Sequence, residues 1–577
     1  MEIGSDSRMA LMPSAESPLE EQADGSWHWE HRSGEITIPK SGSFSGSLGV
    51  VVNGDVEGRG SVEFQLHFEA DGKQTPLIHR RENLAQFETW DAWAPVYSDL
   101  AEHGGQTGKF RFDVTVRPRG GAALSPDAIR PVWANPQVLA APEAPETRPN
   151  VLLICLDTLR ADHLGAYGYH RDTSPNIDAF ARDTVRFEYA IAPSSWTLPS
   201  HASLFSGLQP DEHGAVYKLG VIPPGVEMLA EVARRYGYET GALTENGYVS
   251  ARHGFAQGYE SYVSELHVDA AATFDRARVW LSQRRADPFF LFVHTYQIHA
   301  PYDPPEAYAE RFITSDDANA VRRFMPAYDN TVFDLSEPER RHAEDLYDGE
   351  IAYTDDLLGA FLRDFRRSGH WDNTLIMLFS DHGEEFWEHD GYGHAITLYE
   401  ESIRVPLIVK PAGVASRPGV VDTPVSLTDI YATVADCMGW VADPRKYSYS
   451  FRSLLDAGST PQYARDFIGS VVSIRTRYGF PIQKDDPQRR AYRTDRWKFI
   501  QDFTKSPNRK LYHLQHDPAE QRNLLESEAE EIERLLKALR DYTTRVVESG
   551  EQIQSGGAPE FKMTKEEEEA LAAIGYN

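Results

Sequence analysis

Residues 150–158 read NVLLICLDT, an apolar run from Val151 to Leu156 that stops on Asp157. A run of this length without polar alternation describes a strand buried on both faces, the habit of a parallel sheet covered by helices. Three later stretches share the pattern: PFFLFVHTY (288–296), NTLIMLFSDHG (373–383) and RVPLIVKP (404–411). Helix-period segments lie between them, among them PNIDAFARDTVRF (175–187), GVEMLAEVARRYG (225–237) and DDLLGAFLRDFRRSG (355–369). Strands alternating with helices predict an α/β fold, a doubly wound and mainly parallel sheet, over 150–440.

The flanks differ. Beyond residue 440 the pattern weakens into short strands, AYRTDRWKFIQDF (491–503) and NRKLYHLQH (508–516), and an amphipathic helix at about Ser527–Ser549. Residues 441–577 therefore predict a small antiparallel α+β subdomain, with a last charged helix in MTKEEEEALAAIGYN (563–577). Upstream, 27–139 holds GEITIPK, GSLGVVVNG, SVEFQLHFEAD and KFRFDVTVRP, separated by Gly- and Asp-bearing turns. That is the spacing of a jelly-roll-like β-sandwich. Its Trp90, Trp93 and Trp133 either fill the core or form a carbohydrate-stacking face. Residues 1–26 read as a disordered acidic lead-in and AAPEAPETRP (140–149) as a stiff, solvated linker.

At 577 residues the chain exceeds one ordinary core, and its 41% hydrophobic content marks it as globular. A formal charge of −30 argues against nucleic acid and anionic membranes as partners. The two cysteines, Cys155 and Cys437, sit in apolar surroundings, which argues against a disulfide framework and against a zinc knuckle. No apolar run is long enough to span a bilayer, and the N-terminus lacks the apolar core of a signal peptide. The expectation is a soluble protein, cytoplasmic as written, with a secreted or periplasmic location the alternative if a signal has been removed. Oligomeric state is not legible.

Polar groups gather where the strands end. Asp157, His294, His299, the pair Asp381-His382, Glu384 and His394 all follow apolar runs, and open α/β sheets bind ligands beyond the carboxyl ends of their strands. An Asp beside a His at the end of a buried strand is costly without compensation. A divalent metal compensates it, and this O/N donor set suits zinc or manganese, with calcium the alternative, as one or two ions. APSSWTLPSHASLFSG (192–207) then has a context: Thr197 caps a helix that Pro199 tolerates in its first turn and Gly207 ends. A threonine hydroxyl coordinated to a divalent cation becomes a competent nucleophile, and the helix N-terminus offers amides to an anionic oxygen.

Five stretches carry a resemblance: NVLLICLDTLRADHLGAYGY, SSWTLPSHASLFSG, HTYQIHAPYDPP, SDHGEEFWEHDGYGH and RTDRWKFIQDF…KLYHLQHDPAEQRNLL. From about Pro149 to the C-terminus the chain resembles a sulfatase-type member of the alkaline phosphatase superfamily; the β domain lies outside that likeness. Where those sulfatases carry C-x-P-S-R, with the Cys or Ser oxidised to formylglycine, this chain has Thr197-Leu198-Pro199-Ser200-His201. Threonine cannot form that aldehyde, because its β-carbon carries a methyl group. The family's paired aspartates read Asp157-Thr158, its Asp-Asn pair reads Asp381-His382, and His394 stands in for a lysine of the sulfate-binding set.

These departures resemble the branches that use an unmodified threonine on phosphodiesters and phosphonates. The resemblance implies Asp157, Thr197, Asp381 and His382 around a first metal. It implies His299 and His394, with Glu384, at a second metal or at the substrate oxyanion and leaving group. Ser200 and His201 are expected as supporting groups, with substrate or second-metal contact by His201 the alternative. Arg160, Lys218 and Asn246 fall at loop positions beyond the sheet and read as surface or structural residues. The expected function is a metal-dependent hydrolase of phosphodiesters or phosphonate monoesters with Thr197 as nucleophile, acting on an anionic small-molecule or glycan ester. The alternatives are a sulfatase that works without formylglycine, or a glycan-binding protein with an inactive hydrolase domain. A Ser–His–Asp hydrolase is disfavoured, since the serines of 192–207 sit in no G-x-S-x-G elbow.

Overall fold

The computed structural model describes the chain except residues 1, 4–5, 8–9, 12, 14–16, 41, 53–59, 84–93, 119–128, 141–147, 265–268, 283–287, 314–334, 414–417, 442–445, 447, 456–462, 464–467, 474–487, 504–507 and 555–577. Two compact units result: Met1–Glu146 with Ala230–Thr240 and Ala256–Ser261, and the remainder.

Among its described residues the first unit contains a two-stranded sheet, Glu2–Ile3 with Asp6–Ser7, and two larger antiparallel sheets. One runs in the order Ala94–Asp99, Gly42–Val52, Ile129–Ala140, Ala10–Leu11, and the other Glu20–Glu21, Trp27–Arg32, Thr107–Pro118, Gly60–Ala70, Lys73–Asn83. Period-two patterning explains their packing: Val62, Phe64, Leu66 and Phe68 alternate inward opposite Val116, Val114, Phe112 and Phe110. Trp133, fully buried, meets Phe64 and Phe112 edge-on with ring centroids 5.8 and 5.3 Å apart. This tryptophan fills the core and is no stacking platform; Trp90 and Trp93 lie outside the described residues. The lead-in differs from expectation. Ala10–Leu11 pairs with Trp133 and Ala134, and Glu20–Glu21 with Trp27 and His28. Leu11 and Leu19 pack against the sandwich core, so a few apolar residues suffice to seat an acidic segment on sheet edges. Most of the 140–149 linker lies outside the described residues.

The second unit is built on a nine-stranded sheet, α/β and mostly parallel as expected. Asn150–Leu156 lies between Phe289–Thr295 and Thr374–Phe379, parallel to both. Ile154, Val293 and Leu378 share one face, packed with Phe274, Phe361 and Phe365 from the helices Ala270–Ser282 and Glu337–Arg367. Each such side chain, fully buried, contributes about 1.5–3 kcal/mol. The opposite face carries Phe292, which meets Phe205 of the Thr197–Ser206 helix at 4.7 Å between centroids. Helices thus cover both faces. Arg404–Lys410 departs from the parallel reading: it runs antiparallel to Thr374–Phe379 and to Val185–Ile191. The physical reason is the connection. A parallel return needs a crossover of a dozen or more residues, usually a helix, and between Phe379 and Arg404 the only described helix is Glu400–Ile403.

Four antiparallel strands follow, Ile468–Ser473, Gln488–Arg493, Trp497–Asp502 and Asn508–His513. The helix Ala529–Gln554 lays Leu535, Leu539, Tyr542 and Val546 on Tyr492, Phe499 and Leu511. The helix expected in 563–577 lies outside the described residues. Among the described residues no helix is long and apolar enough to cross a membrane.

Candidate active site

Three neighbouring parallel strands end at the same sheet edge, and each delivers a polar residue there: His294 near the end of Phe289–Thr295, Asp157 just past Asn150–Leu156, and Asp381 just past Thr374–Phe379. The Thr197–Ser206 helix begins beside them. Its N-cap is Trp196, extended at φ −160 and ψ 162, so Thr197 is the first helical residue and not the cap. That shift leaves the threonine hydroxyl unused by capping. Thr197 Oγ1 lies 3.4 Å from Asp157 Oδ2 and 3.3 Å from His382 Nε2.

His382 Nδ1–H donates to the Gly383 carbonyl at 2.9 Å, which assigns the lone pair to Nε2. This nitrogen faces Asp381 Oδ2 at 3.4 Å and Asp157 Oδ1 at 3.7 Å. Ligand atoms of Asp157, Asp381 and His382 all fall within 4.8 Å of one another, and all three residues are fully buried. Asp157 Oδ1 and Asp381 Oδ1 have no hydrogen-bond partner. Two carboxylates and an imidazole lone pair converging in a dry site repel one another unless a cation lies among them, so this donor set fits a divalent metal. Burial, with the neighbouring charge of Asp381, pushes the Asp157 carboxyl well above its usual range.

Further groups hold the carboxylates in place. His294 Nε2 lies 3.0 Å from Asp157 Oδ2, and His201 Nδ1 lies 3.3 Å from Asp381 Oδ2 and 3.0 Å from the Thr197 carbonyl. Ser200 Oγ donates to the Asp381 carbonyl at 2.6 Å. Thr158, which replaces the second aspartate of the sulfatase pair, is left-handed at φ 59 and turns its hydroxyl to the Asp157 carbonyl at 2.7 Å.

On the other side of His382 lie His394 and then His299, with successive ring centroids 4.7 Å apart. His394 Nδ1 pairs with Glu384 Oε1 at 2.9 Å, and Tyr302 donates to Glu384 Oε2 at 3.0 Å. Glu384 therefore orients His394. Burial pushes the Glu384 carboxyl upward. His299 Nδ1–H donates to the Ala300 carbonyl at 2.6 Å, and burial pushes its imidazole down to about 3, so the ring is neutral with Nε2 as acceptor.

The structure thus gathers Asp157, Thr197, Asp381 and His382, and sets His394 and His299 in line beside them. His201 lies behind Asp381, among Phe205, Phe255, Phe292 and His294. Its position one helical turn after Thr197 turns it onto the sheet face. Arg160 is buried and structural, donating to Asp162, Glu388 and the Glu384 carbonyl. Tyr302 was not singled out from the sequence; its place in HAPYDPP, three residues after His299, was the available signal.

The sulfatase family model matches residues 149–440, and the model of the C-terminal part of N-sulphoglucosamine sulphohydrolase matches 388–546. An arylsulfatase of Clostridium perfringens is 24% identical over 465 residues, covering 68% of this chain and 94% of that protein. A multifunctional alkaline phosphatase superfamily protein, PehA of Trinickia caryophylli, is 26% identical over 51% of this chain and 74% of its own length. Among solved structures, the phosphonate monoester hydrolase of Agrobacterium radiobacter superposes with a TM-score of 0.58 at 22% identity, covering 69% of this chain and 95% of that one. A 2-O GAG sulfatase superposes at 0.57 with 20% identity, covering 69% and 92%. At these identities the likeness shows a shared fold.

Proposed function

The chain belongs to the sulfatase family and is an ester-bond hydrolase, and on that premise we propose that it cleaves phosphodiesters or phosphonate monoesters with Thr197 as nucleophile. The observation that supports this most is the position of Thr197 Oγ1, within 3.4 Å of both Asp157 Oδ2 and His382 Nε2 at the start of a helix. A residue that cannot become formylglycine occupies the place of the family nucleophile.

Asp157, Asp381, His382 and Thr197 Oγ1 would hold a divalent ion, zinc or manganese by donor type, which when bound neutralises charge on the attacking and phosphoryl oxygens. Thr197 attacks phosphorus in line, its hydroxyl proton directed to Asp157 Oδ2. The helix N-terminus, whose first amides have no partner within the helix, faces the anionic oxygens. His299, neutral at rest, gains affinity for a proton as the anion arrives, and His394 is fixed by Glu384 beside it. These two assist departure of the leaving group, and water then releases the Thr197 ester. Charge placement on fixed groups is the main contribution such a reaction demands.

A second reading, hydrolysis of sulfate esters without formylglycine, is favoured by the match of two sulfatase models over 149–440 and 388–546. Sulfate monoesters and phosphodiesters carry the same single charge. The test is a panel of nitrophenyl sulfate, phosphate, phosphodiester and phosphonate, given to metal-stripped protein reloaded with zinc, manganese or calcium, beside Thr197→Ala. Metal-dependent diester or phosphonate turnover lost in the variant supports the proposal. Dominant sulfate turnover that needs Thr197 selects the second reading, and activity surviving in Thr197→Ala refutes the nucleophile.

A further inference from the structure

Behind the carboxylates lies a second cluster. Cys155 and His294 are register partners on adjacent parallel strands, so their side chains leave the same face of the sheet. That face is the one covered by the Thr197–Ser206 helix, and His201, a turn into the helix, meets His294 at 4.9 Å between ring centroids. One ligand atom from each of Cys155, His201 and His294 lies within 4.8 Å of the other two, and all three residues are fully buried.

Both imidazoles already have one nitrogen engaged. His201 Nδ1–H donates to the Thr197 carbonyl, and His294 Nε2–H donates to Asp157. The nitrogens left with lone pairs, His201 Nε2 and His294 Nδ1, have no hydrogen-bond partner. Buried acceptors without donors are destabilising unless something else satisfies them. An imidazole whose other nitrogen is tied to a carboxylate or a carbonyl is the usual state of a metal-binding histidine.

We infer that Cys155, His201 and His294 form a second cation site, separate from the Asp157–Asp381–His382 site, that takes zinc or another borderline-soft ion. One thiolate and two neutral imidazoles select against magnesium, calcium and manganese, and three protein ligands leave one position open. Binding forms the metal–sulfur bond and releases the thiol proton to solvent. The ion places positive charge behind His294, which donates to Asp157, and His201, which lies 3.3 Å from Asp381 Oδ2. The inference does not depend on which ester the enzyme cleaves.

Cobalt(II) is the probe. In metal-stripped Cys437→Ser protein, Cys155 is the one remaining thiol, since the chain has two cysteines. Titration with Co²⁺ to saturation should produce a near-ultraviolet sulfur-to-cobalt charge-transfer band, and zinc should abolish it by displacement. Cys155→Ala in the same background should lose the band and one bound ion per chain while keeping the remaining metal. Absence of the band at saturation, or its persistence in Cys155→Ala, overturns the inference. The first measurement needs no change in the buried core, so it decides the matter even if Cys155→Ala fails to fold.

Discussion

His294 and Asp157 stand 3.0 Å apart, Nε2 to Oδ2, on neighbouring parallel strands whose ends meet at one sheet edge. The same carboxylate oxygen is 3.4 Å from the Thr197 hydroxyl. His294 therefore sets the position of the carboxylate assigned to both the proposed metal site and the proposed nucleophile.

His294→Ala should weaken Mn²⁺ binding by about 10–100-fold, the usual effect of removing the partner that orients a metal-binding group. Manganese is chosen because the thiol–imidazole cluster disfavours it. Calorimetric titration checks this, and an unchanged Kd would show that Asp157 is positioned without its histidine.

Stripping the divalent ion should lower Tm, because an ion bound by the folded site stabilises it by mass action. Asp381→Asn should bind the ion far more weakly and show a much smaller Tm response to added metal than the wild type. Differential scanning calorimetry with and without chelator reads both. Equal metal responses of the two proteins would remove Asp381 from the site.

Glu350 gives a pH prediction away from the metal. It accepts from Gln297 at 2.9 Å and from the Asp303 amide at 2.7 Å, yet burial pushes its carboxyl up to about 7 from 4.5. A folded-state value above the unfolded one means that the folded chain keeps the proton longer. Its stabilising effect is complete below pH 4.5 and is lost as pH rises through about 7. At one pKa unit per about 1.4 kcal/mol, the loss is at most about 3.5 kcal/mol. Glu350→Gln should flatten this part of the stability–pH curve measured by urea unfolding, and a variant curve parallel to the wild type would contradict the assignment.

Trp133→Ala should destabilise the β-sandwich by about 3–5 kcal/mol through lost burial and the cavity left between Phe64 and Phe112. Far-ultraviolet circular dichroism in denaturant measures it. A change below about 1 kcal/mol would mean that the ring is not a core element.

The sequence made the catalytic sheet legible because strands buried on both faces admit no other pattern, and because Asp157, Asp381 and His382 follow such strands directly. Thr197 was legible through the residues around it. The antiparallel return of Arg404–Lys410 was not, since a continuous apolar run carries no direction; only the lack of a crossover helix between 380 and 403 signals it. The place of His201 was also hidden. Helical spacing puts it on the same side as Thr197, but only the register of Cys155 against His294 reveals the cluster it joins. The resemblance puts Glu384 with His299 and His394 at a second metal or the substrate, and nothing in the sequence signals that its oxygens meet His394 and Tyr302.

The central claim is that Thr197 Oγ1 carries the group being transferred, and trapping that adduct tests it most directly. Metal-loaded enzyme would be mixed with a nitrophenyl phosphonate or phosphodiester, quenched in acid during turnover, digested and analysed by mass spectrometry. A phosphonyl or phosphoryl adduct is expected on the peptide containing Thr197, absent from Thr197→Ala, which should also lose turnover. Sustained turnover by Thr197→Ala, with no adduct on that peptide in the wild type, would contradict it.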